Sequence, residues 1–190
     1  ASVFAYLNAF PTTELVPGAV YLDGYTIVCT RSGLLYSSDE EAPKSWNPYN
    51  YVSVRSDPDY VVGIVKHFNY VCCFGEWSTE YFYNAGNQTI TPGSPLLRQD
   101  SYKSELGCAD GDSIVQFEQA VVWVSKSKTH GKSVHFLDGM TPVKVSTRYI
   151  EKYLNAAEVV AGTANKIKSF AYKIAGHTFY VMNLIAQDLT

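Results

Sequence analysis

The strongest constraint on the fold of this chain is a hairpin that keeps returning. Apolar runs come in pairs around short polar turns. Val20 to Leu22 and Tyr25 to Cys29 flank Asp23-Gly24, and Tyr60 to Val65 and Tyr70 to Phe74 flank Lys66-His67. Ser113 to Phe117 and Val121 to Val124 flank Glu118-Gln119, and Ser169 to Ile174 and Thr178 to Leu184 flank Ala175-Gly176. Runs of this length bounded by turn residues read as β-hairpins. The turns recur roughly every 45 to 57 residues, the size of one four-stranded propeller blade plus variable loops.

Face counting narrows the architecture. In Tyr25-Thr26-Ile27-Val28-Cys29 and in Val121-Val122-Trp123-Val124, apolar side chains fall on both alternating faces. A strand covered on both sides lies between stacked sheets. Radially packed blades meet that need, whereas a β-sandwich leaves one face of each sheet polar. Outer strands are expected at Leu34 to Ser37, Thr79 to Tyr83 and Ser133 to Leu137, with loops at Ser38 to Asn50 and Gly86 to Pro95. Pro43 and Pro48 mark the first of those loops. Only Thr147 to Asn155 reads as helix, capped by Ser146, with Ile150 and Leu154 on one face. The expected fold is all-β, a partial β-propeller-like stack of antiparallel blades with one short helix.

A chain of 190 residues has room for one core and at most four blades. A propeller hides its edge strands by closing the ring, so further blades must come from a longer parent chain or from other copies. The expected unit is a single all-β domain over residues 1–190, a fragment of a longer propeller-containing polypeptide. The 15 tyrosines fit this reading, because a tyrosine ring packs on a pleated surface while its hydroxyl stays wet.

The net charge of −3 gives no general attraction to nucleic-acid phosphates or anionic membrane. The one basic cluster, Lys126, Lys128, His130 and Lys132, reads as a solvated hairpin tip. Cys29, Cys72, Cys73 and Cys108 form no CxxC pair and read as buried free thiols of a chain made in a reducing cytosol. Vicinal Cys72 and Cys73 should point to opposite faces of a strand, which argues against a metal pair. No signal peptide and no bilayer-length apolar run is present.

The residues of chemistry do not converge at any recognisable spacing. There is no GxSxG, HExxH or GxxxxGK[ST] motif. His67 and His177 read as exposed turn histidines. Glu76 and Glu80 lie four apart around a turn into a strand, and surface charge is favoured over a glycoside-hydrolysing carboxylate pair. Asp57, Asp59, Asp110 and Asp112 read as turn formers rather than calcium ligands. Asn87-Gln88-Thr89 is a glycosylation sequon that a cytosolic chain would not use. No catalytic, cofactor or metal residue is expected.

An ordered set of segments carries a family resemblance. It begins with Tyr21-Leu22-Asp23-Gly24-Tyr25, Leu35-Tyr36-Ser37-Ser38, Trp46-Asn47 and Asp57-Pro58-Asp59 before Val61-Val62-Gly63-Ile64. It continues with Phe74-Gly75-Glu76-Trp77-Ser78-Thr79-Glu80-Tyr81-Phe82-Tyr83-Asn84-Ala85-Gly86, Gly107-Cys108-Ala109 and Val121-Val122-Trp123-Val124. Val143-Lys144-Val145-Ser146-Thr147, Ile150-Glu151 and Gly176-His177-Thr178-Phe179-Tyr180-Val181 close it. Together these resemble the packaged-DNA stabilisation (tail accessory) proteins of short-tailed bacteriophages, over roughly residues 20 to 185. The pattern residues are Asp23, Gly24, Gly75, Trp77, Glu80, Gly86, Gly107, Trp123, Gly176 and His177.

The resemblance implies a non-enzymatic virion protein of the head-to-tail connector, located in the tail or neck after synthesis in the host cytoplasm. Such a protein closes the portal on packaged DNA and links tail components. Its implied partners are other tail and portal proteins and copies of itself, with no membrane and no sequence-specific nucleic acid. An acidic balance suits a channel that must pass DNA without gripping it. Tyr49-Asn50-Tyr51 and Tyr81-Phe82-Tyr83 are candidate contact surfaces, although blade packing explains the second as well. The alternative reading is a carbohydrate-binding or glycoside-acting β-propeller, and a third is a propeller scaffold of a cellular protein.

Overall fold

The computed structural model describes residues 10–11, 14–54, 59–86, 93–156 and 166–185. Among these, the chain forms four antiparallel sheets in sequence order and one α-helix. The first sheet is a meander of β1 (Val20–Leu22), β2 (Tyr25–Cys29), β3 (Leu34–Asp39) and β4 (Ala42–Ser53). The second repeats it with β5 (Val61–His67), β6 (Tyr70–Gly75), β7 (Thr79–Asn84) and β8 (Leu96–Arg98). In the third, β10 (Val115–Phe117), β11 (Ala120–Ser127), β12 (Gly131–Asp138) and β13 (Thr141–Lys144) follow one another, and the short β9 (Gly107–Cys108) also pairs with β11. The fourth is the hairpin of β14 (Lys166–Ile174) and β15 (His177–Ile185). The first strands of successive sheets approach one another, β1 beside β5 and β10 beside β14.

Three apolar cores lie between the four sheets, which is the two-faced burial that the sequence requires. Val20, Leu22, Tyr25, Ile27 and Cys29 of the first sheet meet Val61, Ile64, Val71, Cys73 and Phe82 of the second. Cys72, Phe74 and Tyr81 point the other way, onto Cys108, Val121, Trp123 and Leu137 of the third. Val122 and Val124 then turn to the fourth, against Ile167, Tyr180, Met182 and Leu184. Strict alternation along β6 and β11 makes each strand serve two cores. It also sends Cys72 and Cys73 to opposite faces. All four cysteines are free and buried, and desolvation pushes the Cys29 and Cys108 thiols up to about 12.

Several local expectations need correction. The stretch Ser38 to Asn50 is not loop: Ala42–Ser53 is the outer strand of the first sheet. Pro43 and Pro48 are tolerated because β4 pairs on one side only, with β3, across register shifts. The second hairpin turns at Phe68-Asn69, two residues later than Lys66-His67. His67 is therefore not an exposed turn histidine. It ends β5, is 1 % exposed, and a ring nitrogen lies 2.5 Å from the Gly139 carbonyl in the β12–β13 turn. The helix α1 spans Arg148–Ala156, with Leu154 and Ile150 in the third core as expected. The Ser146 hydroxyl accepts from the Val134 N–H and donates to Glu151, so it ties the helix start to β12 rather than capping it in the usual way. Asp57 and Asn87-Gln88-Thr89 lie outside the described residues.

Candidate functional site

The segment Gly75 to Ser78, where β6 turns into β7, is the best-built polar feature of the molecule. Asp59, just before β5, lays its carboxylate across this turn. It accepts the backbone N–H groups of Glu76 (3.0 Å), Trp77 (2.8 Å) and Ser78 (3.0 Å), and the Ser78 hydroxyl at 3.2 Å. Three consecutive amide dipoles aimed at one carboxylate form an anion nest satisfied from within the chain. Gly75 has to be glycine for this to happen: a Cβ there would lie 2.4 Å from Asp59 Oδ2.

The same turn is pressed onto the third sheet. A Cβ on Gly107 would stand 2.2 Å from the Glu76 carbonyl oxygen and 2.4 Å from the Trp77 nitrogen, so only a bare Cα fits. The buried Trp123 donates its indole N–H to the Gly107 carbonyl at 3.2 Å and packs against Phe74, ring centroids 5.0 Å apart. Lys126 of β11 reaches across to Glu76 at 2.6 Å. Its ammonium also sits 4.1 Å from the Trp77 ring centroid, a cation–π contact. Thr79 and Ser104 exchange backbone hydrogen bonds at 2.8 and 3.0 Å, closing the outer side of the joint.

Of the ten pattern residues, Gly75, Trp77, Gly107 and Trp123 are thus brought together at one joint between the second and third blades. Glu80 belongs to a different environment. It is 3 % exposed, on the face of β7 shared with Phe82, and pairs with Arg98 of β8 at 3.5 Å. Arg98 also holds Asp100 at 2.6 Å, and that hydrogen bond is the main cause raising the guanidinium pKa. Glu76 and Glu80 therefore engage partners on opposite sides of the second blade and do not form a carboxylate pair. Asp23-Gly24 and the Ala175-Gly176 turn preceding His177 are hairpin turns with positive φ, and His177 is exposed there. Gly86 follows β7 with open space around it.

Sequence reasoning missed three participants. Asp59 is not a local turn former; its partners lie 17 to 19 residues further on. Lys126 is half-buried against the second blade rather than part of a solvated tip, and Lys132 is buried, so only Lys128 and His130 of that cluster are exposed. The third is His135, whose Nδ1 lies 2.8 Å from the Ser125 hydroxyl in the buried layer of the third blade. Desolvation, with help from Lys144, lowers the His135 pKa. The aromatic run also divides: Tyr81 and Phe82 are core residues, whereas Tyr49 and Tyr51 are exposed on β4.

Two open clefts flank the Glu76-Trp77 tip. The larger, about 500 Å³, includes Glu14, Arg31, Tyr60, Glu76, Asp110, Lys126 and Lys132 in its walls. The smaller, about 220 Å³, includes Asp59, Trp77, Ser78, Glu105 and Lys128. Their charged groups are largely engaged in holding blades. Asp110 accepts the N–H of Asp112 (3.0 Å) and of Ile167 in the fourth sheet (2.9 Å), and the Arg31 guanidinium lies 5.5 Å from the Tyr60 ring centroid. Neither Ser125 nor His135 lines either cleft. Among the described residues no group of three or more His, Cys, Asp or Glu is arranged to hold a metal ion.

Antiparallel meander sheets stacked through two-faced cores define a protein of the β-propeller class. Residues 10–190 match the model of the Phage_stabilise family, described as bacteriophage P22 Gp10, beta-propeller, and the chain belongs to that family. It is 25% identical over 124 residues to the tail hub protein gp10 of Salmonella phage P22, a match covering 63% of this chain and 26% of that protein.

Proposed function

We propose that this chain is a structural part of a phage tail hub in the virion neck, closing the portal on packaged DNA and linking tail components without catalysing a reaction. The observation that carries the reading is the family match across residues 10–190. The structure supports it through Asp59, Glu76 and Lys126, whose charges are engaged in ordering the β6–β7 turn and in tying the second blade to the third, although all three border open clefts. The partners are other tail and portal proteins and further copies of the same protein.

Residues 1–190 form, on this reading, a single all-β domain within a longer propeller-containing chain. The groove between the first strands includes Tyr21, Lys66, Asp112 and Gln116, with one cation and one anion. A wall of that character would let DNA slide rather than hold it. Among the described residues no helix is long and apolar enough to cross a membrane.

The test is electron microscopy of particles from the parent phage with this gene interrupted, counting DNA-filled and empty heads. Heads that package and then empty, with tails missing beyond the portal, are the expected result. Filled, stable heads bearing complete tails would overturn the reading.

A further inference from the structure

The outer edge of the third sheet is finished by a helix rather than by a strand. β13 pairs with β12 only from His135 to Asp138, so residues 131–134 of β12 have no strand beyond them. Backbone groups alternate along a strand edge, and here Lys132 and Val134 direct theirs outward. All four groups are held. The Lys132 N–H donates to Asn155 Oδ1 at 2.9 Å, and Asn155 Nδ2 donates back to the Lys132 carbonyl at 3.2 Å. The Val134 N–H donates to the Ser146 hydroxyl at 3.1 Å, and the Val134 carbonyl accepts the Val145 N–H at 2.9 Å. One carboxamide on α1 thus stands where a peptide group of a neighbouring strand would stand.

Asn155 is fixed in this place from its own helix. Its Nδ2 also donates to the Glu151 carbonyl at 2.8 Å, one turn back. Leu154, beside it, is 2 % exposed in the third core. Gly131 leaves room for the amide, since a Cβ there would lie 2.6 Å from Asn155 Oδ1.

The other outer edges are blunted by different means. β4 carries the exposed Pro43, Lys44 and Pro48, β13 carries Pro142, and β8 is three residues long and follows Pro95. The first half of β7 is closed by main chain, through Thr79 with Ser104 and the Gln99 N–H on the Tyr81 carbonyl. The first half of β12 has no proline. Its one lysine, Lys132, is buried and lines the cleft beside Glu76, so its charge does not screen the edge. A strand edge with neither proline nor exposed charge is a template for pairing with another chain.

We propose that α1 is an edge guard, and that lifting it turns the first half of β12 into a strand acceptor for a second copy of this chain. The occupant follows from the edge itself. Two bare copies of residues 131–134 present the same alternation of donors and acceptors, and they pair antiparallel about a two-fold axis. Such a contact closes on itself, so its product is a dimer.

Ser146→Ala combined with Asn155→Ala removes both side chains that hold the edge and leaves Leu154 in its core. Parent and variant are compared by sedimentation velocity over a range of concentrations and by hydrogen exchange at the Lys132 and Val134 amides. The amides of Trp123 and Ser125, residues buried in β11, report whether the sheet itself stays intact. In the dilute variant, exchange at Lys132 and Val134 should be faster by about tenfold or more. A dimer absent from the parent should then grow with concentration, and protection should return at those two amides as it forms. A variant that keeps the parent's association state at every concentration overturns the proposal. So does unchanged exchange in the dilute variant. Association that leaves the two amides unprotected also overturns it, because another surface is then in contact. If the Trp123 and Ser125 amides are released as well, the sheet has opened, and the single change Asn155→Ala decides by the same readings.

Discussion

Replacing Asp59 with alanine leaves the N–H groups of Glu76, Trp77 and Ser78 without their acceptor and strips the Ser78 hydroxyl of its partner. A hydrogen bond to a charged group contributes about 1.5–3 kcal/mol, and an orphaned buried donor costs about 1–3 kcal/mol. Four such bonds do not add, because they share one carboxylate. Water from the adjoining cleft, which Asp59 itself lines, can also replace some of them. A net loss of about 3 kcal/mol follows, which for a domain of this size lowers Tm by about 6–12 °C. Asp59→Asn should recover part of the loss, since one carbonyl oxygen can still accept while the amide opposes a backbone donor. The assay is thermal and urea unfolding, with hydrogen exchange at residues 76–78 to localise the change. Asp59→Ala unfolding within about 0.5 kcal/mol of the parent, with unchanged exchange at those amides, would refute the nest as a structural element.

Four further outcomes are expected. Gly107→Ala should be far more damaging than Gly86→Ala, because its Cβ meets the Glu76 backbone at 2.2 Å whereas Gly86 has open space; the second should cost about 1 kcal/mol for its positive φ, and thermal melts compare them. Lys126→Met should lower stability by about 1 kcal/mol, through the Glu76 pair and the Trp77 contact, and added salt should narrow the difference between the two melts. The His135 pKa is depressed in the folded state, so its contribution to stability is complete above about pH 6.5 and declines as pH falls towards the folded value. Unfolding midpoints between about pH 5 and 7 should show that slope, and His135→Gln should flatten it. Native-state thiol labelling of the four cysteines should be negligible until the chain unfolds, because burial both blocks access and raises the thiol pKa.

The hairpin rhythm and the two-faced strands were legible in the sequence because both are local properties. Apolar residues on both sides of Val121 to Val124 can only mean cover on both sides, and Asp23-Gly24 can turn only one way. The family pattern was legible too, and its glycines at 75 and 107 mark a close approach of backbones. What approaches them was not legible. Asp59 and Glu76 look like surface acids by any local criterion, and Lys126 looks like part of a wet basic tip. The pairing of β5 with β6 within the second blade brings Asp59 to its nest, and the stacking of that blade on the third makes Glu76 and Lys126 a bridge.

The errors have the same origin. His67 reads as a turn residue because a histidine preceded by lysine is polar in isolation. The Gly139 carbonyl that accommodates it lies 72 residues away, where no window on the sequence reaches. Pro43 and Pro48 argued for loop, and that argument holds for a central strand; it fails for β4, which needs hydrogen bonds on one edge only. Periodicity and turn chemistry determined by themselves that the chain is a series of antiparallel hairpins with two sides to cover. Which charges are buried, which glycines are irreplaceable and which aromatic face stands open were decided by the packing of sheet on sheet, because each depends on atoms that come close only when distant parts of the chain meet.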